Sequence, residues 1–149
     1  MKLRLLVVGR GSKQLADFET RFIERLRPFA ACQVLELPEG RGKQVSQRKQ
    51  QEGKHILQQA KPGFIAFDEH GAMHGSTRWA DHLGRLHGDA QQDFVIGGAD
   101  GLAENVRTTA AATWSLSKLT LPHQLVRAVV LEQLYRAFTI IQGHPYHRV

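Results

Sequence analysis

Short apolar runs alternate with longer amphipathic stretches along this chain, and glycine, proline or an acid closes most of the runs. Leu3, Leu5, Leu6, Val7 and Val8 make the first run, ended by Gly9-Arg10-Gly11. A run of this kind fits a strand buried on both faces. Ser12 stands where a helix N-cap would, and Leu15, Phe18, Phe22 and Leu26 recur at helical spacing until Pro28. Residues 33–37 predict a second strand, and residues 38–42 a loop rich in glycine and proline. Residues 43–60 read as a polar helix whose apolar stripe, Ile56, Leu57 and Ala60, comes only at its end, before the Pro62-Gly63 break.

The third strand is expected over residues 64–67, ending at Asp68, with the polar residues after it forming a loop. Residues 77–86 predict a short helix with Trp79, Leu83 and Leu86 on one face. A fourth strand, 94–96, runs into Gly97-Gly98-Ala99-Asp100-Gly101. A helix is expected over 103–112, a fifth short strand within 114–121, and a long helix from Pro122, at the N1 position, to about Ile141. This alternation implies one α/β domain over residues 1–149. Its sheet is mostly parallel, with five or six strands and helices on both faces.

Composition narrows the picture. With 149 residues and 42% apolar content, the chain has the size and core of one globular domain and not of a disordered segment. The formal net charge is +6, and it is unevenly spread. Residues 1–62 hold 13 basic and 6 acidic side chains, whereas the remainder is slightly acidic. Arg41, Lys43, Arg48, Lys49 and Lys54 lie in the polar helix region with Glu52 as the single acid. That excess suggests an anionic partner there. The lone Cys32 rules out an internal disulfide and a cysteine-rich zinc site. The first apolar run is too short for a signal peptide and no stretch is long enough to span a membrane, so a cytoplasmic protein is expected.

Three places could carry chemistry. Gly9-Arg10-Gly11-Ser12 follows a strand and opens a helix, but lacks the third glycine of a dinucleotide fingerprint and the Gly-Lys-Ser/Thr of a P-loop. A tight turn is its plainer reading. Gly97-Gly98 lies at the carboxyl end of a buried strand, the edge where open α/β sheets bind ligands. The segment from Trp114 to Arg127 mixes Ser115, Ser117 and Thr120 with Leu116, Leu119 and Leu121, a mixture that suits an adenosine-like ligand. Asp68, His70 and His74 match no standard metal spacing, so no metal is expected. There is also no Gly-x-Ser-x-Gly nucleophile elbow. His144, Tyr146, His147 and Arg148 form either a frayed end or a base-facing tail. The last helix carries Leu125, Val126, Val129, Val130, Leu131, Leu134, Tyr135, Phe138 and Ile141, more apolar surface than one core face uses. The excess suggests an interface with a second copy.

The segments Phe94 to Leu102, Trp114 to Arg127, Leu131 to Phe138 and His144 to Arg148 occur together, in order and at matching spacing. Through them the whole chain closely resembles the SPOUT-class family of ribosomal large-subunit pseudouridine methyltransferases. The resemblance implies transfer of a methyl group from S-adenosylmethionine to ring nitrogen three of a pseudouridine in a stem-loop of 23S rRNA, in the large subunit or whole ribosome. It implies a homodimer and a C-terminal trefoil knot, where pattern alone gives an unknotted doubly wound sheet. Matched by motif, the donor-binding residues would be Phe67, Gly97, Leu116, Ser117, Lys118, Leu119, Thr120 and Leu121. His144, His147 and Arg148 are the catalytic candidates, either for deprotonating the target base or for stabilising its anion. A non-catalytic ribosome-binding or assembly factor on the same fold is the alternative.

Overall fold

Strand β1 (Lys2–Val8) separates the molecule into two layers by the alternation of its side chains. The structure is a computed structural model describing residues 1–148. Leu3, Leu5 and Val7 turn to one face and pack with Phe22, Leu26, Trp79, Val130, Leu134 and Phe138. Leu6 and Val8 turn to the other, against Ile56, Val95, Leu102 and Val106. The first face is covered by α1 (Ala16–Leu26), α3 (Ser76–Gly84) and α5 (His123–Ile141), and the second by α2 (Val45–Gln59) and α4 (Glu104–Thr109). Both faces of the central strands are buried, which explains why they read as unbroken apolar runs.

The sheet has five strands in the order β2-β1-β4-β3-β5, all parallel, with β2 (Ala31–Leu37), β3 (Ile65–Met73), β4 (Gln91–Ile96) and β5 (Ala112–Ser115). The α/β class and the parallel sheet are therefore as expected, with five strands. β4 is inserted between β1 and β3, so its carboxyl end emerges at the middle of the sheet. Ser12 caps a 3-10 turn (Lys13–Leu15) ahead of α1, its Oγ accepting from the Gln14 amide at 3.2 Å.

Several boundaries differ from expectation: β2 and β4 begin earlier, at Ala31 and Gln91, α4 is shorter, and three differences bear on the cleft. β3 does not stop at Asp68. It bulges outward over residues 68–71 and rejoins β5 at Ala72 and Met73. Gly71 makes this possible, since a Cβ there would meet the backbone of Thr113 and Trp114 at under 3 Å. The segment is polar, so sequence periodicity gave no strand signal, and pairing with β5 overrode local preference. β5 begins at Ala112, ahead of Trp114, and Pro122 is the N-cap of α5 rather than its first helical residue. α5 also uses most of its apolar circumference inside the chain. Val130, Leu131, Leu134, Ala137 and Phe138 are buried, and only Leu125 and Ile141 are exposed among its large apolar side chains. The expected surplus is small because α1 and α3 flank the helix on both sides.

The amino ends of the central strands are fixed by one buried carboxylate. Asp93 on β4 accepts from Arg4 Nε of β1 at 2.9 Å, from the Lys61 amide at 2.8 Å and from Gln91 at 3.1 Å. Arg4 also donates to the Gln59 carbonyl at 2.9 Å. Burial works against the Asp93 charge, but Arg4 and the amide of Lys61 outweigh it and hold the carboxyl below its ordinary value of 3.8. Its contribution is present above that value and lost as pH falls through the depressed one. Arg4→Met leaves the buried carboxylate without its cation and should cost about 3 kcal/mol of stability. Urea unfolding at neutral pH measures this, and a midpoint equal to the wild type would contradict it.

Candidate active site

The carboxyl ends of β3, β4 and β5 open onto a cleft of about 660 Å³. Three chain segments build its walls. The bulge of β3 supplies Asp68, Glu69 and His70; the turn after β4 supplies Gly97, Gly98 and Asp100; the crossing from β5 to α5 supplies Leu116, Ser117, Leu119, Thr120 and Leu121. The crossing is braced by its own hydroxyls. The Ser115 hydroxyl donates to the Ser117 carbonyl at 2.8 Å, and Ser117 Oγ accepts from the Leu119 amide at 3.0 Å. Thr120 Oγ1 donates to Glu69 Oε2 at 2.9 Å, joining the crossing to the bulge. Gly97 is required by packing, because a Cβ there would lie 2.9 Å from Leu102 Cδ2 and 3.2 Å from the Gly101 carbonyl carbon.

Seven of the eight residues matched to donor binding therefore meet in one cleft. Lys118 does not; it is exposed and lies outside the wall. Phe67 reaches the cleft from the end of the regular part of β3, but its ring belongs to the core. It stacks on Trp79 at 5.5 Å and Phe94 at 6.1 Å, with Trp114 edge-on at 6.4 Å. The first glycine cluster lies elsewhere. Gly9 is buried against His123 and Glu39, and Gly11 against Arg127, which makes it a packed turn.

The tail lies away from the cleft of its own chain. His147 Nδ1 is 3.3 Å from Arg136 Nη1, while the Tyr146 hydroxyl donates to Glu132 at 2.9 Å under the Arg136 guanidinium. His144 and Arg148 are exposed. His123, by contrast, lines the cleft at the start of α5. Thirteen residues of helix separate Arg136 from His123, about 20 Å at 1.5 Å per residue. The candidate catalytic residues of the tail therefore do not line the cleft of their own chain.

The basic segment divides by geometry. Arg41 and Lys54 line an open groove of about 890 Å³ on the outer side of α2, together with Gln47, Gln50, Gln51 and Asn105. Lys43 is exposed nearby. Lys49 instead faces the cleft. Arg48 is engaged inside the protein, with Nε 2.8 Å and Nη2 3.2 Å from the Asp100 carboxylate. Asp68 is held by Arg107 at 3.4 Å and accepts from the His70 amide at 2.8 Å. Among the described residues no cluster of three His, Cys, Asp or Glu side chains could hold a metal, and no helix is long and apolar enough to cross a membrane. Sequence reading missed Arg107 and the pairing of Arg48 with Asp100, because neither ion pair leaves a spacing signal across so many residues.

An all-parallel α/β sheet with a glycine turn and a Ser/Leu crossing around one cleft places a candidate ligand site at the sheet's carboxyl edge. Residues 1–147 match the model of the family described as predicted SPOUT methyltransferase. The chain belongs to the SPOUT methyltransferase family. Proteins named ribosomal RNA large subunit methyltransferase H are 41% identical to it in Beijerinckia indica and 43% identical in Acinetobacter baumannii, over 99% of both chains in each case. Its fold is shared by a tRNA (m1G37) methyltransferase of Aquifex aeolicus, with a TM-score of 0.58 at 12% identity, covering 100% of this chain and 76% of that one. A putative RNA methyltransferase of Bacillus anthracis gives 0.57 at 14% identity, covering 99% and 98%. By its family the protein is a methyltransferase.

One carboxyl beneath the cleft is anomalous. Glu52 on α2 is 5% exposed; its Oε2 accepts from the Gly40 amide at 2.8 Å, and its Oε1 is buried with no partner. Burial raises its pKa above the ordinary 4.5; the Gly40 amide and Arg48 oppose the rise, and Asp100 and Glu39 add to it. The folded state therefore binds this proton more tightly than the unfolded state. Its contribution to stability falls as pH rises from the ordinary value through the raised one. Glu52→Gln removes this loss, so its melting temperature relative to wild type should rise as pH increases above the ordinary 4.5. Paired thermal melts test this, and a difference that stays flat or falls with pH would contradict it.

Proposed function

We propose that this protein transfers a methyl group from S-adenosylmethionine to ring nitrogen three of a pseudouridine in a 23S rRNA stem-loop. The large subunit or the whole ribosome is its substrate, it acts as a homodimer in the cytoplasm, and its C-terminal segment is threaded as a trefoil knot. The observation that carries this reading is the convergence of Phe67, Gly97, Leu116, Ser117, Leu119, Thr120 and Leu121 on one cleft. The cleft suits the donor on structural grounds. Its volume lies in the range of small-ligand sites, and the glycine turn leaves the backbone bare where a ligand approaches.

S-adenosylmethionine supplies a methyl group already activated on sulfonium sulfur, so neither a metal nor an enzyme nucleophile is required. The protein's work is alignment and proton handling. The glycine turn and the crossing 116–121 orient the nucleoside end. Removal of the imide proton, or stabilisation of the resulting anion, falls to His144, His147 and Arg148 of a second copy, since the tail of the same chain lies about 20 Å along α5 from the cleft. Exposed apolar side chains support a second copy here. Leu119, 69% exposed, borders the cleft, and Met73 at the end of β3 and Leu125 on α5 are 52% and 39% exposed. Arg41, Lys43, Lys49 and Lys54 hold RNA phosphates, giving affinity without sequence choice.

Ribosomes lacking the modification, incubated with methyl-labelled donor, test the reading. Wild-type protein should label one pseudouridine of 23S rRNA. Gly97→Val should lower donor affinity at least about tenfold and labelling with it, because the valine displaces Leu102 and the Gly101 turn. Ribosome binding without label would favour the assembly-factor alternative.

A further inference from the structure

We propose that Arg48 is a positioning residue of the donor site, acting through Asp100, and not a phosphate contact for RNA. The proposal rests on the reading of the cleft as the S-adenosylmethionine site.

Arg48 sits on the first turn of α2, inside the stretch whose charge points to RNA. Its guanidinium is spent within the protein. Nε and Nη2 grip the Asp100 carboxylate at 2.8 and 3.2 Å, while Nη1 donates to the carbonyls of Gly42 and Lys43 at 3.0 and 3.2 Å. Four of its five N–H donors are thus engaged, and a phosphate held by the guanidinium fork would have to break at least one of these contacts. Arg48 holds the Asp100 carboxyl below its ordinary value, first by hydrogen bonding and then by charge.

Asp100 lies in the turn Gly97-Gly98-Ala99-Asp100-Gly101, and that turn is one wall of the cleft. The turn has little else to hold it. Three of its five residues are glycine, Gly101 has φ +82°, and the turn is closed by a short antiparallel bridge between Gly98 and Gly101, whose Gly101 amide donates to the Gly98 carbonyl at 3.0 Å. A glycine-rich turn of this kind carries a large conformational entropy, so a fork-shaped anchor from outside restricts it. One helical turn along α2, Glu52 supports the same segment from behind. Its unpartnered Oε1 is 3.3 Å from the place of a Cβ on Gly98, and its Oε2 fixes Gly40, which packs on the backbone of Arg48. α2 therefore has two jobs on two sides. Its outer side presents Lys54 to solvent, and its inner side holds the turn.

The test compares Arg48→Gln, Arg48→Lys, Asp100→Asn and the double variant Arg48→Gln/Asp100→Asn, with Lys54→Gln as the phosphate-contact reference. The first reading is donor affinity by calorimetry with S-adenosylmethionine. Arg48→Gln and Asp100→Asn should each weaken it about tenfold, the double variant no more than either alone, and Arg48→Lys less, since lysine keeps the charge but not the fork. The second reading is the salt dependence of binding to unmodified ribosomal RNA without donor. Its slope should be unchanged in Arg48→Gln and should drop by about one in Lys54→Gln. The third is amide exchange of the donor-free protein, in which residues 97–101 should exchange faster in both single variants. A drop in salt slope for Arg48→Gln with donor affinity intact overturns the proposal, as do additive donor losses in the double variant. Wild-type protein that binds no donor overturns the functional reading itself; wild-type binding with undiminished binding in Arg48→Gln and Asp100→Asn overturns this inference alone.

Discussion

The placement of β4 between β1 and β3 is the constraint from which the site follows. It brings the carboxyl end of a strand buried on both faces to the middle of the sheet edge, between two neighbours that are themselves buried. The turn after it then has to reverse without side chains, because Leu102 and Val8 already fill the space where Cβ atoms of Gly97 and Gly98 would lie. Bare backbone in the middle of the edge is what a ligand can approach. The Arg4–Asp93 pair acts at the opposite end of the same strands and ties β1, β4 and the entry to β3 together. The cleft therefore stands on buried strands, and its walls include a short glycine turn anchored from outside by Arg48.

Much of this was legible in the chain. Strands buried on both faces are short and apolar, so β1, β3 and β4 announce themselves, and the alternation with amphipathic helices determines the parallel sheet. The two functional stretches were legible for the same reason: Gly97-Gly98 and the Ser/Leu crossing are odd residues to find beside buried strands. What was not legible arises from contacts between distant segments. The bulge and return of β3 depend on Gly71 resting on β5, and nothing in Asp68-Glu69-His70 signals that pairing. The charge of Arg48 looks like that of Lys43 or Lys54 until Asp100 is seen beside it. The apolar width of α5 looked like surplus until α1 and α3 were seen on either side of it.

The separation of tail and cleft has a consequence for how the enzyme is assembled. His147 is held beside Arg136, and the Tyr146 hydroxyl beside Glu132, at the level of the middle of α5, whereas the cleft opens at its first turn. On the proposed function, a monomer would hold the donor cleft and the tail candidates apart, so a second copy would have to bring its tail to this cleft.

The central claim is that the cleft between residues 97–101 and 116–121 is the donor site. A crystal structure of the protein with S-adenosylmethionine tests it most directly. The account predicts the nucleoside lying between Gly97 and the crossing, against the backbone of Phe67, with no density at Gly9-Arg10-Gly11. Donor bound at that first glycine turn, or bound outside the cleft, would contradict it.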